Sequence, residues 1–471
     1  MKISNLSKHF VGKILNIFIS IVIIPFLIIE LDKSEFGLLG IFWLLLPILK
    51  RLINLGADVP ISIKFFKFKK DDFNNYVIHG LAVIFLNTLL IIFSFLIISI
   101  YINIPYGIDS KLVIISILFS LFQTINNIWV TFLKNTGKIY QFEFLQLASK
   151  LLSTVMAMML ITFYSKTVFG YMIGLLLAEG LIFIFSFYNI LKTFNFLKFN
   201  FKPAFIRSIM KVGLPIIPGT LSLYILSYGD RLFVEHFMGL EMVAVYTLAY
   251  KLAETAMAII VTPLINYLEP LLMSNINSLK IKFLIKAFGD LTISILVFIC
   301  SLLLIFGEEI FILINKVDYI ESIPISILLM SGILISGITS FNGIYLNYGE
   351  KTKEIFIISL IVGILNLCLN FVLIPKIGLI GAGLSTIASF IFQRILTIKK
   401  INETTILSYR LLYSNKFEII SILIMTLCSL LVHDNSLEFI NITSRILIYI
   451  ILFMLSFVFL IRKVILVKKI L

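Results

Sequence analysis

The sequence predicts an all-α polytopic membrane protein with about fourteen transmembrane helices. Hydrophobic residues make up 60% of the 471 residues and charged residues only 14%, with a mean hydropathy of +1.09. No soluble domain of this size can bury so much apolar surface. The apolar residues form runs of about 20, the length of a helix that crosses a bilayer. Lysine and arginine concentrate in alternate loops between these runs.

Each apolar run is interpreted as one span. The first run follows a basic start, as a signal peptide would, but it continues to Leu31 without a small-residue cleavage pattern. We therefore interpret it as the first span. The runs lie near 10–31, 38–60, 77–101, 111–133, 144–164, 167–188, 208–236, 242–264, 284–306, 322–347, 355–374, 378–397, 416–434 and 441–462.

The basic loops predict the orientation of the chain in the membrane. With the N-terminus on the cytoplasmic side, most of the 39 lysine and arginine residues fall in or beside the inside loops. Both termini are then cytoplasmic. The net charge of +14 follows from this topology, which argues against a nucleic-acid partner.

Two pairs of similar segments predict a duplicated unit. LDKSEFGLLGIFWLLL (31–46) parallels MGLEMVAVYTLAYKLA (238–253), and TGKIYQFEF with its later break KTVFG parallels YGEKTKEIF with PKIGLIG. Chance similarity between apolar helices is the alternative. The prediction is an N-terminal six-helix lobe over 1–200, a C-terminal six-helix lobe over 201–400, and two additional helices with a cytoplasmic tail over 401–471.

Ionisable residues inside predicted spans are candidate functional positions, because a charge in hydrocarbon costs at least ~2.5–3.5 kcal/mol. The candidate cations are Arg51, Lys150, Arg231 and Lys251. The candidate carboxylates are Asp58, Glu179, Asp230 and Glu254. The alternative for each residue is a salt bridge that locks helices together, or a side chain that reaches the interface.

Three geometric expectations follow for charged residues within these spans. Lys50 and Arg51 lie too deep in the second span to reach the interface easily, and we expect Arg51 to face a cavity. Asp230 and Arg231 are adjacent on the seventh span, so they should find separate partners. Lys251 and Glu254 are i, i+3 neighbours on a helix and are able to pair.

The seventh span also contains helix breakers. Two glycines and two prolines interrupt it between residues 213 and 219. Broken backbone at membrane depth is tolerated where it lines a cavity or contacts another helix. The stretch is therefore a candidate bending point at the start of the second lobe.

The sequence carries no enzyme signature. The four histidines are scattered without HExxH spacing, and there is no P-loop. The three cysteines lie far apart in apolar runs, where they are typical small buried residues rather than metal ligands or a disulfide framework. We expect no catalytic residue, no metal site and no cofactor.

Three segments resemble one family of transporters. GLPIIPGTLSLYILSYGDRLFVEHFMGLEMVAVYTLAYKLAE (213–254) is similar to spans seven and eight of Wzx-type oligosaccharide flippases, which have a GlPl-P helix, a DR pair and then lGleeVGiYslAyk. NLGADVPISIKFF (54–66) resembles the family's fGld-si-ryf. NLCLNFVLIPKIGLIGAGLSTIAS (366–389) resembles spans eleven and twelve of the same superfamily. Ala244 stands where the family usually has glycine.

The resemblance implies membership of the multidrug/oligosaccharidyl-lipid/polysaccharide exporter superfamily, which includes the MATE transporters. It implies two six-helix lobes around a cavity, alternating access, and an undecaprenyl-pyrophosphate-linked oligosaccharide as cargo in the bacterial cytoplasmic (inner) membrane. The candidate cations would then bind the pyrophosphate, and the candidate carboxylates would gate transport or couple it to H⁺ or Na⁺. Other polysaccharide-assembly membrane proteins are expected partners, in O-antigen, lipopolysaccharide, capsule or exopolysaccharide synthesis.

Two other classes stay open. A cation-coupled exporter of the MATE type would have an acidic, aromatic cavity and typically twelve spans, whereas this chain has basic candidates and about fourteen. A membrane-embedded glycan polymerase or transferase would need a sizeable external loop or a cluster of catalytic acids. Neither is visible in the sequence.

Overall fold

The computed structural model describes residues 22–101, 109–274, 279–348 and 351–404, together with residues 19 and 454. Within these ranges the regular secondary structure is helical, without any strand. The chain divides into two compact units, Met1–Tyr228 and Gly229–Leu471. The predicted lobe boundaries at 200 and 400 stay a prediction.

The first unit contains eight of the labelled helices in its described part, and residues 22–30 before them are also helical. The helices are α1 (Lys33–Asn54), α2 (Asp58–Phe65), α3 (Lys70–Tyr101), α4 (Ser110–Asn135), α5 (Ile139–Phe163), α6 (Val168–Thr193), α7 (Pro203–Gly213) and α8 (Ile216–Tyr228). A single 3₁₀ turn, Phe196–Lys198, lies between α6 and α7.

The second unit continues the series within its described residues. Its helices are α9 (Asp230–Met238), α10 (Leu240–Ser274), α11 (Leu279–Leu313), α12 (Ser322–Tyr348) and α13 (Thr352–Thr404). The 53-residue α13 is two helices joined at a break, because Ile377 and Gly378 have non-helical dihedral angles. This break falls in the segment PKIGLIG, where the sequence predicts one.

Nine helices in the described ranges are long and apolar enough to cross a membrane, and the bent pair Gly289–Leu304 with Phe306–Leu313 would add a tenth. Because Lys353–Ile401 covers two predicted spans, these helices account for predicted spans two to twelve. Half of span one, and spans thirteen and fourteen apart from residue 454, lie outside the described residues. The chain is an all-α, multi-pass membrane protein, as the sequence predicts.

Burial separates central helices from peripheral ones. In α12, 89% of the most apolar stretch is buried inside the protein, whereas in α3 the figure is 17%. A helix that is apolar all round must face either protein or lipid. Helix α12 therefore forms the centre of its unit, and much of α3 is left to face lipid.

Aromatic rings fill part of the core of the first unit. Phe73 on α3 meets the ring of Phe65 edge-on at 5.3 Å and stacks on Phe132 of α4 at 6.5 Å. Phe194, just after α6, packs edge-on against both Phe73 and Phe132. These contacts join α2, α3, α4 and the end of α6 at one end of the unit.

The second predicted span is not one continuous helix, which corrects the expectation of a single span over 38–60. Helix α1 ends at Asn54, and Leu55 and Gly56 have positive φ angles of 47° and 70°. A Cβ atom at Gly56 would lie 2.5 Å from the carbonyl oxygen of Gly213, at the end of α7. Glycine is needed here because two breaks in the chain meet backbone to backbone.

We predict that Gly174→Ala lowers the free energy of unfolding by about 1–3 kcal/mol, the usual cost of an extra methyl group in a packed interior. A Cβ atom at Gly174 on α6 would lie 2.5 Å from the Cα of Ala157 on α5. The measurement is thermal unfolding in detergent. Gly343→Ala is the control, since its Cβ meets no described atom within 4 Å. Wild-type unfolding of the Gly174 variant would contradict the predicted clash.

Candidate functional site

The first unit contains a polar cavity of about 380 Å³ between α1, α4, α5 and α6. Its charged lining residues are Lys50, Lys150 and Glu179. Its amide side chains are Gln123, Asn126, Asn127 and Gln146, and its hydroxyl groups belong to Ser149, Ser153 and Tyr171. So many polar groups within apolar spans indicate a binding site.

Glu179 forms part of the cavity wall and is only 4% exposed. Asn126 Nδ2 on α4 donates a hydrogen bond to its Oε2 at 2.6 Å, and Ser149 Oγ on α5 donates to its Oε1 at 2.7 Å. Both carboxylate oxygens are therefore satisfied by neutral donors. The three helices α4, α5 and α6 are tied together at this point.

The charges of the cavity lining favour an anionic ligand. Lys50 and Lys150 contribute two positive charges and Glu179 one negative charge, so the ionised lining has a net charge of +1. Ammonium groups beside amide and hydroxyl groups suit a ligand that carries both anionic and neutral polar groups.

Arg51 makes an ion pair across the break that follows α1. Its Nη1 lies 3.0 Å from Oδ1 of Asp58, the first residue of α2. The Arg51 side chain is 11% exposed and that of Asp58 is 38% exposed. The cavity is lined by the neighbouring Lys50, since consecutive helical residues point in different directions. The sequence analysis expected Arg51 rather than Lys50 to face a cavity, whereas the lining of this cavity includes Lys50 and not Arg51.

The second unit buries a carboxylate, Asp230, among donors from two other helices. Tyr246 Oη on α10 donates to its Oδ2 at 2.5 Å. Asn370 Nδ2 donates to its Oδ1 at 2.6 Å, and Thr386 Oγ1 donates to its Oδ2 at 3.1 Å. Asp230 is fully buried. Because Asn370 and Thr386 lie on opposite sides of the α13 break, Asp230 connects both halves of that helix.

Two further side chains extend this network. Asn370 Nδ2 also donates to Asn366 Oδ1 at 3.0 Å, and Ser385 Oγ donates to Asn370 Oδ1. Asn366 and Asn370 are i, i+4 neighbours in an apolar span. In the sequence, this spacing indicates that one face of the helix is polar.

Arg231 is fully buried, like its neighbour Asp230. Its Nε donates to Thr247 Oγ1 at 3.0 Å, and its guanidinium lies 5.1 Å from the ring centre of Tyr250. The expectation that Asp230 and Arg231 find different hydrogen-bond partners is confirmed for these contacts. In this conformation Arg231 packs inside its own unit.

Lys251 and Glu254 make the predicted i, i+3 ion pair at 2.7 Å. Their side chains are 21% and 38% exposed. The candidate carboxylates thus fall into two kinds. Asp58 and Glu254 are partly exposed and paired with cations, whereas Glu179 and Asp230 are buried and held by neutral donors. Within the described ranges, no group of three or more His, Cys, Asp or Glu residues is arranged to hold a metal ion.

The fold and these sites define a multi-pass membrane protein with a polar, net cationic cavity in its first unit. The chain belongs to the polysaccharide biosynthesis protein family, whose profile matches residues 3–275, more than half of the sequence. This match confirms the resemblance to Wzx-type flippases.

The chain is also similar to individual proteins. The putative protein 1 of the Lsg locus of Haemophilus influenzae is 23% identical over 248 residues, which are 52% of this chain and 59% of that protein. The lipid II flippase MurJ in an inward closed conformation has a TM-score of 0.69 at 19% identity, covering 98% of this chain and 100% of MurJ. An inward-facing MATE multidrug transporter scores 0.64 at 13% identity, covering 82% and 95%. At these identities the two structures establish the fold.

We predict that Asp230→Ala destabilises the protein, because it leaves the buried hydroxyl of Tyr246 without its acceptor and deprives Asn370 and Thr386 of one. Each buried polar group left unsatisfied costs about 1–3 kcal/mol. Thermal unfolding in detergent measures the effect. Glu309→Ala, at an exposed position of the same unit, is the matched control. Identical melting of the Asp230 variant and the wild type would refute the network.

Proposed function

We propose that this chain is a flippase that moves polyprenyl-pyrophosphate-linked oligosaccharide units across the bacterial cytoplasmic membrane by alternating access. The observation that carries the proposal is the polar, net cationic cavity of the first unit, in a member of the polysaccharide biosynthesis protein family. On this proposal both termini are cytoplasmic. The cargo is a repeat unit of a surface polysaccharide such as O-antigen, capsule or exopolysaccharide.

The proposed cargo has two chemical parts that match two kinds of lining group. The pyrophosphate is anionic and is able to accept charge-assisted hydrogen bonds from Lys50 and Lys150. The sugar hydroxyls are able to exchange hydrogen bonds with the four amide side chains of the wall. Phe119 and Tyr171 supply aromatic surface in the same cavity. The two ammonium groups would repel a cationic drug.

In this proposal, Arg51, Lys251 and Arg231 contribute less to binding of the cargo than Lys50 and Lys150 do. Arg51 and Lys251 are engaged with Asp58 and Glu254, so the cargo would have to compete with an intramolecular carboxylate. Arg231 would contact a pyrophosphate only if α9 and α10 moved apart, because it is fully buried between side chains of its own unit. The two ion pairs are suited to gating, since an anionic ligand is able to break them.

Coupling to H⁺ or Na⁺ is assigned to the buried carboxylates in this proposal. Asp230 has oxygen-bearing side chains around it and bonds to three helical segments, so a proton or cation bound there would alter contacts throughout its surroundings. Glu179 would respond differently. Its protonation would raise the net charge of the cavity from +1 to +2.

The first functional prediction concerns the cavity lysines. Proteoliposomes containing the full chain should translocate a fluorescent polyprenyl-pyrophosphate-linked oligosaccharide, measured by its accessibility to a membrane-impermeant quencher. Lys50→Gln with Lys150→Gln should reduce the rate about 10- to 100-fold, because charged hydrogen bonds contribute about 1.5–3 kcal/mol.

The control is Lys111→Gln, which removes one lysine at an exposed position at the start of α4. This variant should transport at the wild-type rate. Arg51→Ala and Arg231→Ala are tested in the same assay after their folding is confirmed. Transport of a cationic drug without transport of the glycolipid would instead favour the MATE-type alternative. Unchanged glycolipid transport in the double lysine variant would remove the assigned role of the cavity.

The second functional prediction concerns Asp230→Asn, which keeps the side-chain size but removes the ionisable group. We expect transport by this variant to become insensitive to an imposed H⁺ or Na⁺ gradient. The measurement compares initial rates with and without each gradient. Glu254→Gln is the comparison variant, since Glu254 is partly exposed and ion-paired. If Asp230→Asn responds to the gradient as the wild type does, Asp230 has only a structural role.

A further inference from the structure

The segment between α6 and α7 is held against α3 by a set of hydrogen bonds. Asn75 Nδ2 donates to the carbonyl oxygen of Asn200 at 2.6 Å, and the backbone N–H of Asn200 donates to Asn75 Oδ1 at 3.3 Å. Lys202 Nζ lies 2.9 Å from Asp72 Oδ1. These contacts join two parts of the chain that are about 125 residues apart. The segment thus has a fixed position on the first unit.

His79 adds a further bond to the same contact. It is 1% exposed, and its Nδ1 lies 2.7 Å from the carbonyl oxygen of Asn75. Its Nε2 accepts the backbone N–H of Lys202 at 2.9 Å. The rings of Phe199, Phe201 and Phe205 lie around the imidazole, with centroid distances of 4.9, 5.7 and 5.5 Å.

The segment also exposes apolar side chains, including parts of the rings that contact His79. Leu197 is 99% exposed, Phe201 is 61% exposed and Phe199 is 43% exposed. Three exposed basic side chains flank them: Lys192 at the end of α6, Arg207 on α7 and Lys211 on α7. We refer to these six residues as the linker surface.

The segment that carries the linker surface has charge of one sign. Between Glu179 and Asp230 the sequence has no acidic residue, and it has five basic residues. Asp72 on α3 faces the segment but is paired with Lys202. Exposed apolar side chains in a basic surrounding match the boundary between the headgroups and acyl chains of an anionic membrane. A cluster of basic residues next to a transmembrane helix is the typical feature that attracts acidic lipids.

We propose that the linker surface binds anionic phospholipids of the leaflet that it faces. Leu197, Phe199 and Phe201 insert between the lipids, while the ammonium and guanidinium groups pair with lipid phosphates. Because Asn75, His79 and Asp72 already order the segment, binding requires little further loss of conformational freedom. This role is independent of the cargo and of the cavity in the first unit.

The test uses the full chain in nanodiscs of phosphatidylcholine alone or with phosphatidylglycerol. Leu197→Cys, in a variant with its three native cysteines replaced by serine, carries an environment-sensitive fluorophore. We expect a blue shift of the emission in the anionic discs, reduced by high salt. Lys192→Gln, Arg207→Gln and Lys211→Gln together should abolish the shift.

Lys111→Gln, Lys316→Gln and Lys376→Gln make the same change in net charge at positions predicted on the opposite face, and should keep the shift. Equal emission in neutral and anionic discs, or a normal shift in the linker variant, overturns the proposal. A second measurement avoids cysteine substitution: added phosphatidylglycerol should raise the melting temperature of the unlabelled wild type more than that of the linker variant. Equal increases would also overturn it.

Discussion

The cost of placing charge inside hydrocarbon is the constraint on which the polar structure of this chain depends. The candidate residues that the structure describes reduce this cost in different ways. Arg51 and Lys251 each have a carboxylate partner within 3.0 Å. Asp230 has no exposed surface, and three uncharged groups donate to it. Breaking the arrangement around the buried Asp230 would leave a charge in an apolar surrounding, so this arrangement also fixes the helices that supply its donors.

Apolar runs were sufficient to predict the helical spans two to twelve, because a span depends on composition over about 20 residues. The sequence also predicted the breaks at residues 213–219 and at PKIGLIG, where glycine and proline are visible. It missed the break after Asn54. That break depends on Leu55 in a left-handed conformation and on Gly56 against Gly213, a contact between residues far apart in the chain. Such a contact leaves no local pattern.

The candidate site was predicted in part. Lys150 and Glu179 were selected because they are charged residues within predicted spans, and both line the cavity. The ion pair between Lys251 and Glu254 was predicted from their i, i+3 spacing on a helix. Whether Lys50 or Arg51 faces the cavity depends on how α1 is rotated about its axis. The hydrophobicity of the run does not determine that rotation. The donors to Asp230 come from up to 156 residues away. Only the tertiary fold brings them together.

The two buried carboxylates differ in what a change of charge would do, and this difference supports assigning them separate roles. A proton on Asp230 would turn one acceptor oxygen into a donor, so at least one of its three neighbours would have to reorient, either by rotating its hydroxyl group or by flipping its amide. A bound cation would compete for the same oxygens. Either event changes contacts between α9, α10 and both halves of α13. Glu179 instead shares a wall with two lysines, so its protonation changes how strongly the cavity attracts an anion. On the proposed function, Asp230 is the group suited to changing helix packing, and Glu179 is the group suited to tuning cargo affinity.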